Sequence, residues 1–191
     1  AGRAVRVAIL SSYTIDQVVA FADLELRALG LVPDFYVAPF DTWEREVLDP
    51  ASGLRQFDPE ISFLSVSIDD LAPDLAGFLD AEALAAVGAQ ALDRLLAAVQ
   101  RLAGWSRAPI VVHGFHLANP GPLGILEGRS GPSRSRWLAS LNAELADGLG
   151  GLPRAYFLDM LELLLRRPGG PVDHPKLRHM GAVRLSEGVS A

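Results

Sequence analysis

The chain has 191 residues, half of them apolar and 21% charged, which is the composition of a globular protein long enough to build an α/β core. Its 17 basic and 23 acidic residues give a formal charge of −6, which argues against nucleic acid as the main partner, because phosphate binding needs a basic face. The absence of cysteine excludes disulfides, thiolate zinc sites and a cysteine nucleophile, and no apolar stretch approaches the ~20 residues of a membrane span.

Short apolar runs alternate along the chain with segments whose apolar residues recur at helical spacing. The first run, residues 5–10, predicts a buried strand, and the helical pattern over 15–30 ends at Gly30, a typical C-cap residue. Further strands are predicted at 35–38, 61–68, 109–113 and 154–158. Further helices are predicted at 42–48, 81–103, 136–149, 160–166 and from about 176, with turn residues at 49–53 and a loop at 117–133.

Strands that alternate with helices predict right-handed crossovers and a parallel sheet covered on both faces. We therefore expect a three-layer, doubly wound α/β domain with a five-stranded parallel sheet. Ligands of such sheets bind beyond the carboxyl ends of the strands, near the point where the strand order reverses. The polar residues expected to cluster at that edge are Ser11, Ser12, Ser67, Asp69, Asp70 and His113.

The segment LSSYT, residues 10–14, places two hydroxyl residues where a predicted strand meets a predicted helix. It resembles the G-D-S-L-T block of SGNH hydrolases, in which Ser12 would stand at the nucleophile and Ser11 at the aspartate before it. A serine attacks a carbonyl only when a base takes its proton and donors hold the oxyanion. The alternative interpretation is that Ser11, Ser12 or Thr14 caps the helix, or that Ser12 only contacts a ligand.

The segment PEISFLSVSIDDL, residues 59–71, resembles the SGNH segment in which an apolar strand leads into G-x-N-D. Ser67 stands at the glycine and Asp69 at the asparagine, and we expect both to contact substrate. An ionised Asp69 can only accept hydrogen bonds, so it cannot replace the asparagine as an oxyanion donor. The alternative interpretation is that Asp69 and Asp70 cap the next helix.

The segment VDHPKLRHMG, residues 172–181, contains the pair His174-Pro175, which resembles the end of the SGNH motif D-x-x-H-P. On this interpretation His174 is the catalytic base. Pro171 occupies the place of the orienting aspartate, so Asp173, adjacent in sequence, is the remaining candidate for that role. His179 is an alternative imidazole, and a histidine at the surface or at a helix start is the alternative interpretation of His174.

The segment HGFH, residues 113–116, brings two imidazoles within three positions of each other at a predicted strand end. Two such side chains could bind a metal, but no carboxylate or third histidine lies at a recognisable spacing, so no metal site is predicted. Because strand ends are where ligands bind, we expect His113 and His116 to contact substrate.

The segment NPGPLGILEGRSGPSRSR, residues 119–136, is long for an α/β connection. Its arginines Arg129, Arg134 and Arg136 are candidates for binding a phosphate or an acidic partner surface, and Arg129 is the one assigned to substrate. The alternative interpretation is a solvated, mobile loop.

Three longer segments together resemble the N-terminal domain of FkbH-like proteins over residues 5–186. The first segment begins at VAILSSYTID and includes LDPASGLRQFDPEI. The second is PLGILEGRSGPSRSRWLASLNAEL, and the third is HPKLRHMGAVRLSE. The resemblance implies an SGNH-hydrolase/flavodoxin-like domain over residues 1–191. In that family, this domain precedes a HAD-type phosphatase domain. The D-x-D-x-T/V motif of such a phosphatase is absent around Asp159 of this chain. The chain is then expected to be either an excised N-terminal domain or a stand-alone relative.

FkbH-like proteins activate a glyceryl unit from a phosphoglycerate donor and load it onto an acyl carrier protein in polyketide assembly lines. The resemblance therefore implies a cytoplasmic domain that handles an acyl or glyceryl group on a carrier protein, as a Ser/His SGNH-like acyltransferase, esterase or thioesterase. The phosphopantetheine arm of the carrier would hold the acyl group, and no other cofactor, membrane or nucleic acid is expected. The alternative is a non-catalytic module that recognises the carrier or a neighbouring assembly-line domain.

Overall fold

The computed structural model describes residues 2–76, 80–116, 126, 129, 133–160 and 162. Its strands are β1 (Arg3–Ser11), β2 (Leu31–Val37), β3 (Ile61–Ser65), β4 (Ile110–His113) and β5 (Ala155–Leu158). Its helices are α1 (Asp16–Ala28), α2 (Trp43–Leu48), α3 (Gly53–Phe57), α4 (Ile68–Leu71), α5 (Ala81–Trp105) and α6 (Arg134–Gly150), with a 3₁₀ turn at Pro73–Ala76.

The five strands form one sheet in the order β2-β1-β3-β4-β5, and every neighbouring pair is parallel. This is the doubly wound, flavodoxin-like order, so the predicted fold class is confirmed. The strand order reverses between β1 and β3, where Ser11 lies opposite Ser65 in the register. The carboxyl ends of these two strands therefore form the crevice in which such sheets hold ligands.

Alternate residues of the central strands point into two apolar layers, one on each face of the sheet. Ala8, Leu10 and Leu64 belong to the larger layer, which includes buried residues of α5 and α6. Ile9 points to the opposite face, where Val18 and Val19 of α1 pack. This alternation follows from the two-residue period of a strand, and it gives the three-layer arrangement.

The second strand begins earlier than its sequence pattern predicts. The prediction placed it at 35–38, whereas β2 spans Leu31–Val37 and includes Pro33 opposite Val5. Proline has no backbone N–H to donate to a neighbouring strand, so its presence predicts a break in the strand. It is tolerated here because β2 is an edge strand that pairs only with β1.

The segment after β3 also differs from its prediction. The predicted strand 61–68 ends at Ser65, because Ser67 caps α4 by accepting a hydrogen bond from the Asp69 backbone N–H at 3.3 Å. The predicted turn at 49–53 leads into helix α3, which Ser52 caps in the same way through Arg55 N–H. Of the predicted C-terminal helices, residues 160 and 162 are helical, and the remainder lies outside the described residues.

Across the described ranges, none of the helices combines the length and apolar character that crossing a bilayer requires.

Candidate active site

The carboxyl ends of β1 and β3 are joined by polar contacts. The Ser12 backbone N–H donates to the Ser65 carbonyl at 3.2 Å, which extends the parallel ladder by one residue past β1. Ser67, two residues after Ser65, caps helix α4, whose first turn contains Asp69 and Asp70. The short connection between β3 and α4 therefore brings carboxylates to the end of β1.

The Ser12 hydroxyl has two partners in this crevice. It donates to Oδ2 of Asp70 at 2.7 Å and accepts from the Ser67 backbone N–H at 3.0 Å. A carboxylate placed on the hydroxyl proton can take that proton, and an N–H donor to the oxygen favours its negative form. Ser12, Ser67 and Asp70 therefore form a site with the elements of an activated nucleophile, although the Ser12 residue is only 3% exposed.

The sequence predicts that Asp70 lies at this edge of the sheet, with helix capping as its alternative role, but it does not predict the contact with Ser12. The cap of α4 is Ser67, and Asp70 lies one turn further on, with its side chain directed at Ser12. Neither Asp69 nor Asp70 is therefore the N-cap residue of α4, although both lie in its first turn, where a carboxylate favours the N-terminus of a helix. The signal available in the sequence was the pair of carboxylates following a strand end, which did not distinguish the two positions.

The capping interpretation of the hydroxyls after β1 is wrong. Helix α1 has Ile15 at its N-cap, and no side chain caps it. Ser11 instead folds onto its own loop: its hydroxyl donates to the Tyr13 carbonyl at 2.8 Å and accepts from the Tyr13 N–H at 3.1 Å. Ser11 thus shapes the turn that carries Ser12, and it is buried there.

His113, at the end of β4, is buried, with 1% of the residue exposed. Its Nδ1 lies 2.8 Å from the Gly114 carbonyl, which can only accept, so Nδ1 carries the proton. Nε2 of the neutral ring is then an acceptor, and it lies 2.8 Å from the Ser65 hydroxyl. Because Ser65 donates to His113, its hydroxyl accepts from the Tyr13 hydroxyl. The hydrogen bonds therefore run in one direction, from Tyr13 through Ser65 and His113 to the Gly114 carbonyl.

Burial is the main reason why the pKa of His113 is lowered to about 4. The hydrogen bond to Gly114 acts in the opposite direction, and the nearby His116 lowers the pKa further. At neutral pH the His113 ring is therefore uncharged, as its acceptor role at Nε2 requires. This neutral ring ties the carboxyl ends of β1, β3 and β4 together behind the crevice.

The chain beyond β4 is held by a side chain from α6. Asn142 accepts from the Phe115 backbone N–H at 2.7 Å and donates to the Phe115 carbonyl at 2.9 Å. This double contact fixes the residues between Gly114 and His116, and it brings the buried His116 ring to 6.3 Å from that of His113. Asn142 is therefore a positioning residue, and no pattern in the sequence indicates this role.

The remaining predicted site residues are Asp69, Arg129 and the C-terminal candidates. Asp69 lies in the first turn of α4, and Arg129 is helical and exposed. His174, Asp173 and His179 lie outside the described residues. Within the described ranges, no group of three or more His, Cys, Asp or Glu side chains could hold a metal ion.

Among known proteins, the chain is similar in structure but not in sequence. No family model matches the chain, and no curated protein matches it. It is similar to the crystal structure of the N-terminal part of the protein BF1531 from Bacteroides fragilis, described as containing a phosphatase domain complexed with Mg, with a TM-score of 0.80 and 15% identity. The match covers 99% of this chain and 49% of that one, so the chain spans about half its length. At this identity the likeness shows the α/β fold alone.

Proposed function

We propose that the chain is an SGNH-like domain of an FkbH-like protein, formed by residues 1–191, and that it transfers an acyl or glyceryl group held on an acyl carrier protein. Ser12 is the nucleophile of this proposal. The observation that carries it is the Ser12 hydroxyl at the switch point of the sheet, placed between the Asp70 carboxylate at 2.7 Å and the Ser67 N–H at 3.0 Å.

In the proposed reaction, the Ser12 oxygen attacks the carbonyl carbon of a thioester on the phosphopantetheine arm. The hydroxyl proton passes to the Asp70 carboxylate and then to the sulfur of the departing thiol, which leaves the acyl group esterified to Ser12. An acceptor hydroxyl or water then takes the acyl group. Asp70 thus replaces His174, with Asp173, as the first candidate for the base.

The other site residues have supporting roles in this proposal. Ser11 shapes the loop of the nucleophile, and the neutral His113 holds the ends of three strands in register behind it. His116 and Asp69 line the approach to Ser12 and contact the acyl group. Arg129, with Arg134 and Arg136, forms the basic surface for an acidic carrier protein in the cytoplasm.

The solved neighbour supports the setting of the proposal. It is described as containing a phosphatase domain, and it is about twice as long as the part that matches this chain. The FkbH-like resemblance implies a domain of this fold followed by a phosphatase domain.

The test is incubation of the protein with an acyl carrier protein loaded with an acetyl or glyceryl thioester, followed by intact-mass measurement. The proposal expects an acyl adduct that is lost in Ser12→Ala and kept in Ser140→Ala, a matched change of an exposed serine on α6. Loss of the adduct in Asp70→Asn but not in His174→Ala identifies Asp70 as the base. The reverse result identifies His174.

A second candidate is a non-catalytic module that recognises the carrier or a neighbouring domain. It is favoured by the burial of Ser12, whose hydroxyl proton and lone pair are both engaged inside the protein. A carboxylate beside a forming oxyanion also opposes the attack. Binding of the carrier without adduct or turnover, unaffected by Ser12→Ala, would establish this function instead.

A further inference from the structure

A second concave site lies at the opposite end of the sheet from Ser12. It is a cavity of about 710 Å³ between α2, α3 and the C-terminal half of α5. Helix α5 ends at Trp105, shortly before β4 begins at Ile110, so this half of the helix lies beside the amino ends of the strands. The charged and polar residues that line the cavity are Glu44, Arg55, Arg94, Gln100, Arg101 and Trp105.

The cavity carries an excess of positive charge in a chain whose formal charge is −6. Arg94 is paired with Glu44, to which its Nε donates at 2.9 Å, so this cation is already neutralised. Arg55 and Arg101 have no ion-pair partner in the part of the chain that the structure describes. Two unmatched guanidinium groups therefore face one cavity, where an anion would be attracted.

Arg55 is held in place before any ligand arrives. Its guanidinium carbon lies 4.4 Å from the centroid of the Trp105 ring, within the range of a cation–π contact. The indole is itself anchored, because its Nε1 donates to the Val47 carbonyl at 3.3 Å. Helix α3, which carries Arg55, is anchored by the Glu46 carboxylate, which accepts from the Leu54 N–H at 3.1 Å.

The Nε of Arg55 is a buried donor without an acceptor among the described residues. A buried donor that lacks a partner costs free energy, and native proteins leave few of them. A phosphate group satisfies this donor only after a small shift of the Arg55 side chain, because the buried atom is closed to solvent as it stands. Phosphate oxygens match the fork of an arginine side chain, so the unpaired donor and the excess of positive charge both favour an oxyanion ligand.

We propose that this cavity binds a small phosphate ester, whose phosphate group is held by Arg55 and Arg101. A volume of about 710 Å³ is of the size that small-molecule sites have. Ala97, Ala98 and Gly104 form a wall of small residues on α5 for the non-ionic part of the ligand. Residues that line the cavity take no part in the contacts of Ser12, so the two sites are separate.

The test is titration of the whole protein with ribose 5-phosphate and with inorganic pyrophosphate, followed by ¹H–¹⁵N NMR, with ribose as the uncharged control. Both anions should shift the Trp105 indole N–H and the amides at the end of α5, and ribose should not. Arg55→Gln and Arg101→Gln should each weaken binding by about tenfold or more, the loss expected for a charge-assisted hydrogen bond.

The matched control is Arg107→Gln, which removes the same charge from an exposed position that does not line the cavity, and it should leave binding nearly unchanged. Gly104→Phe should block the cavity, because a Cβ at Gly104 meets no heavy atom within 4 Å and the ring has room to enter. Absence of shifts at α5, or equal weakening in all three arginine variants, overturns the proposal. Ser12→Ala should not alter this binding, so the two proposed sites can fail separately.

Discussion

Asp70 accepts a hydrogen bond of 2.7 Å from the Ser12 hydroxyl, although the two residues lie 58 positions apart in the chain. The contact depends on where α4 begins. Ser67 caps this four-residue helix, and the cap sets the turn on which Asp70 projects towards β1. Ser67 also donates its backbone N–H to the Ser12 oxygen at 3.0 Å, so a single short segment supplies both partners of the hydroxyl.

Asp70→Asn should slow the reaction of Ser12 with a fluorophosphonate probe by about 10² or more, the lower range of a general base's contribution. The amide cannot take a proton, and its NH₂ group would donate to the Ser12 oxygen in place of accepting from it. Asp74→Asn is the matched control, since it makes the same change at an exposed carboxylate in the neighbouring 3₁₀ turn, outside the site. Adduct formation is followed by intact mass, and equal rates for both variants would exclude Asp70 as the base.

His113 should make the protein less stable as the pH falls. Its folded pKa of about 4 lies below the ordinary value of 6.5, so the unfolded chain binds the proton more readily between these two values. The stability that the neutral His113 contributes is fully present above pH 6.5, and it is lost as the pH falls towards 4. Between pH 7 and pH 5 the free energy of unfolding should drop by about 2 kcal/mol on this account.

Urea unfolding at pH 7, 6 and 5 measures this effect, with His113→Gln as the comparison. Glutamine keeps a polar group at the end of β4 but does not titrate, so the variant should lose most of the dependence below pH 6.5. The other three histidines of the chain are present in both proteins and cancel in the difference. Parallel pH profiles for the two proteins would show that the buried ring does not control acid stability.

The sequence predicts the elements of this fold better than the contacts within its site. The sequence predicts helix α5 because the segment is long and rich in Ala and Leu, and it predicts β1 because a short apolar run there is rich in Val and Ile. The rule that parallel strands meet at their carboxyl ends placed Ser12 and Ser67 at one edge. Which of two adjacent carboxylates returns to Ser12 depends on the exact start of α4, and hydrophobic patterns do not locate helix starts to one residue.

Contacts between distant polar residues were beyond sequence reasoning for another reason. Asn142 is one polar residue on an amphipathic helix, and nothing in its surroundings indicates that it pairs with a backbone 27 positions away. Arg55 and Trp105 meet only because α3 packs beside the end of α5. Such pairs are set by how helices cover the sheet, and local patterns carry no information about that arrangement.

Asn142→Ala should destabilise the protein by about 2–4 kcal/mol. It leaves the N–H and the carbonyl of Phe115 buried without partners, and each unsatisfied group costs on the order of 1–3 kcal/mol. Ser140→Ala, an exposed change on the same helix, should stay within about 0.5 kcal/mol. Urea unfolding gives both values, and amide exchange at Phe115 should accelerate only in the first variant. A small loss for Asn142→Ala would mean that the segment after β4 is held by other contacts.

Two glycines of α5 should respond to alanine with opposite signs. A Cβ at Gly88 would lie 2.8 Å from Nε1 of Trp137, because α5 and α6 approach closely there, so Gly88→Ala must displace the indole and should cost about 1 kcal/mol or more. A Cβ at Gly104 meets no heavy atom within 4 Å, so Gly104→Ala should stabilise the helix by up to about 1 kcal/mol.

Thermal unfolding of the two glycine variants side by side checks both signs with one chemical change. Helix propensity favours alanine more at Gly88, inside α5, than at Gly104, in its last turn, so a lower stability of the Gly88→Ala protein reports the contact with Trp137 rather than helix propensity. A Gly88→Ala protein as stable as Gly104→Ala would mean that Trp137 swings aside without cost, and that the close approach of α5 and α6 does not depend on the missing side chain.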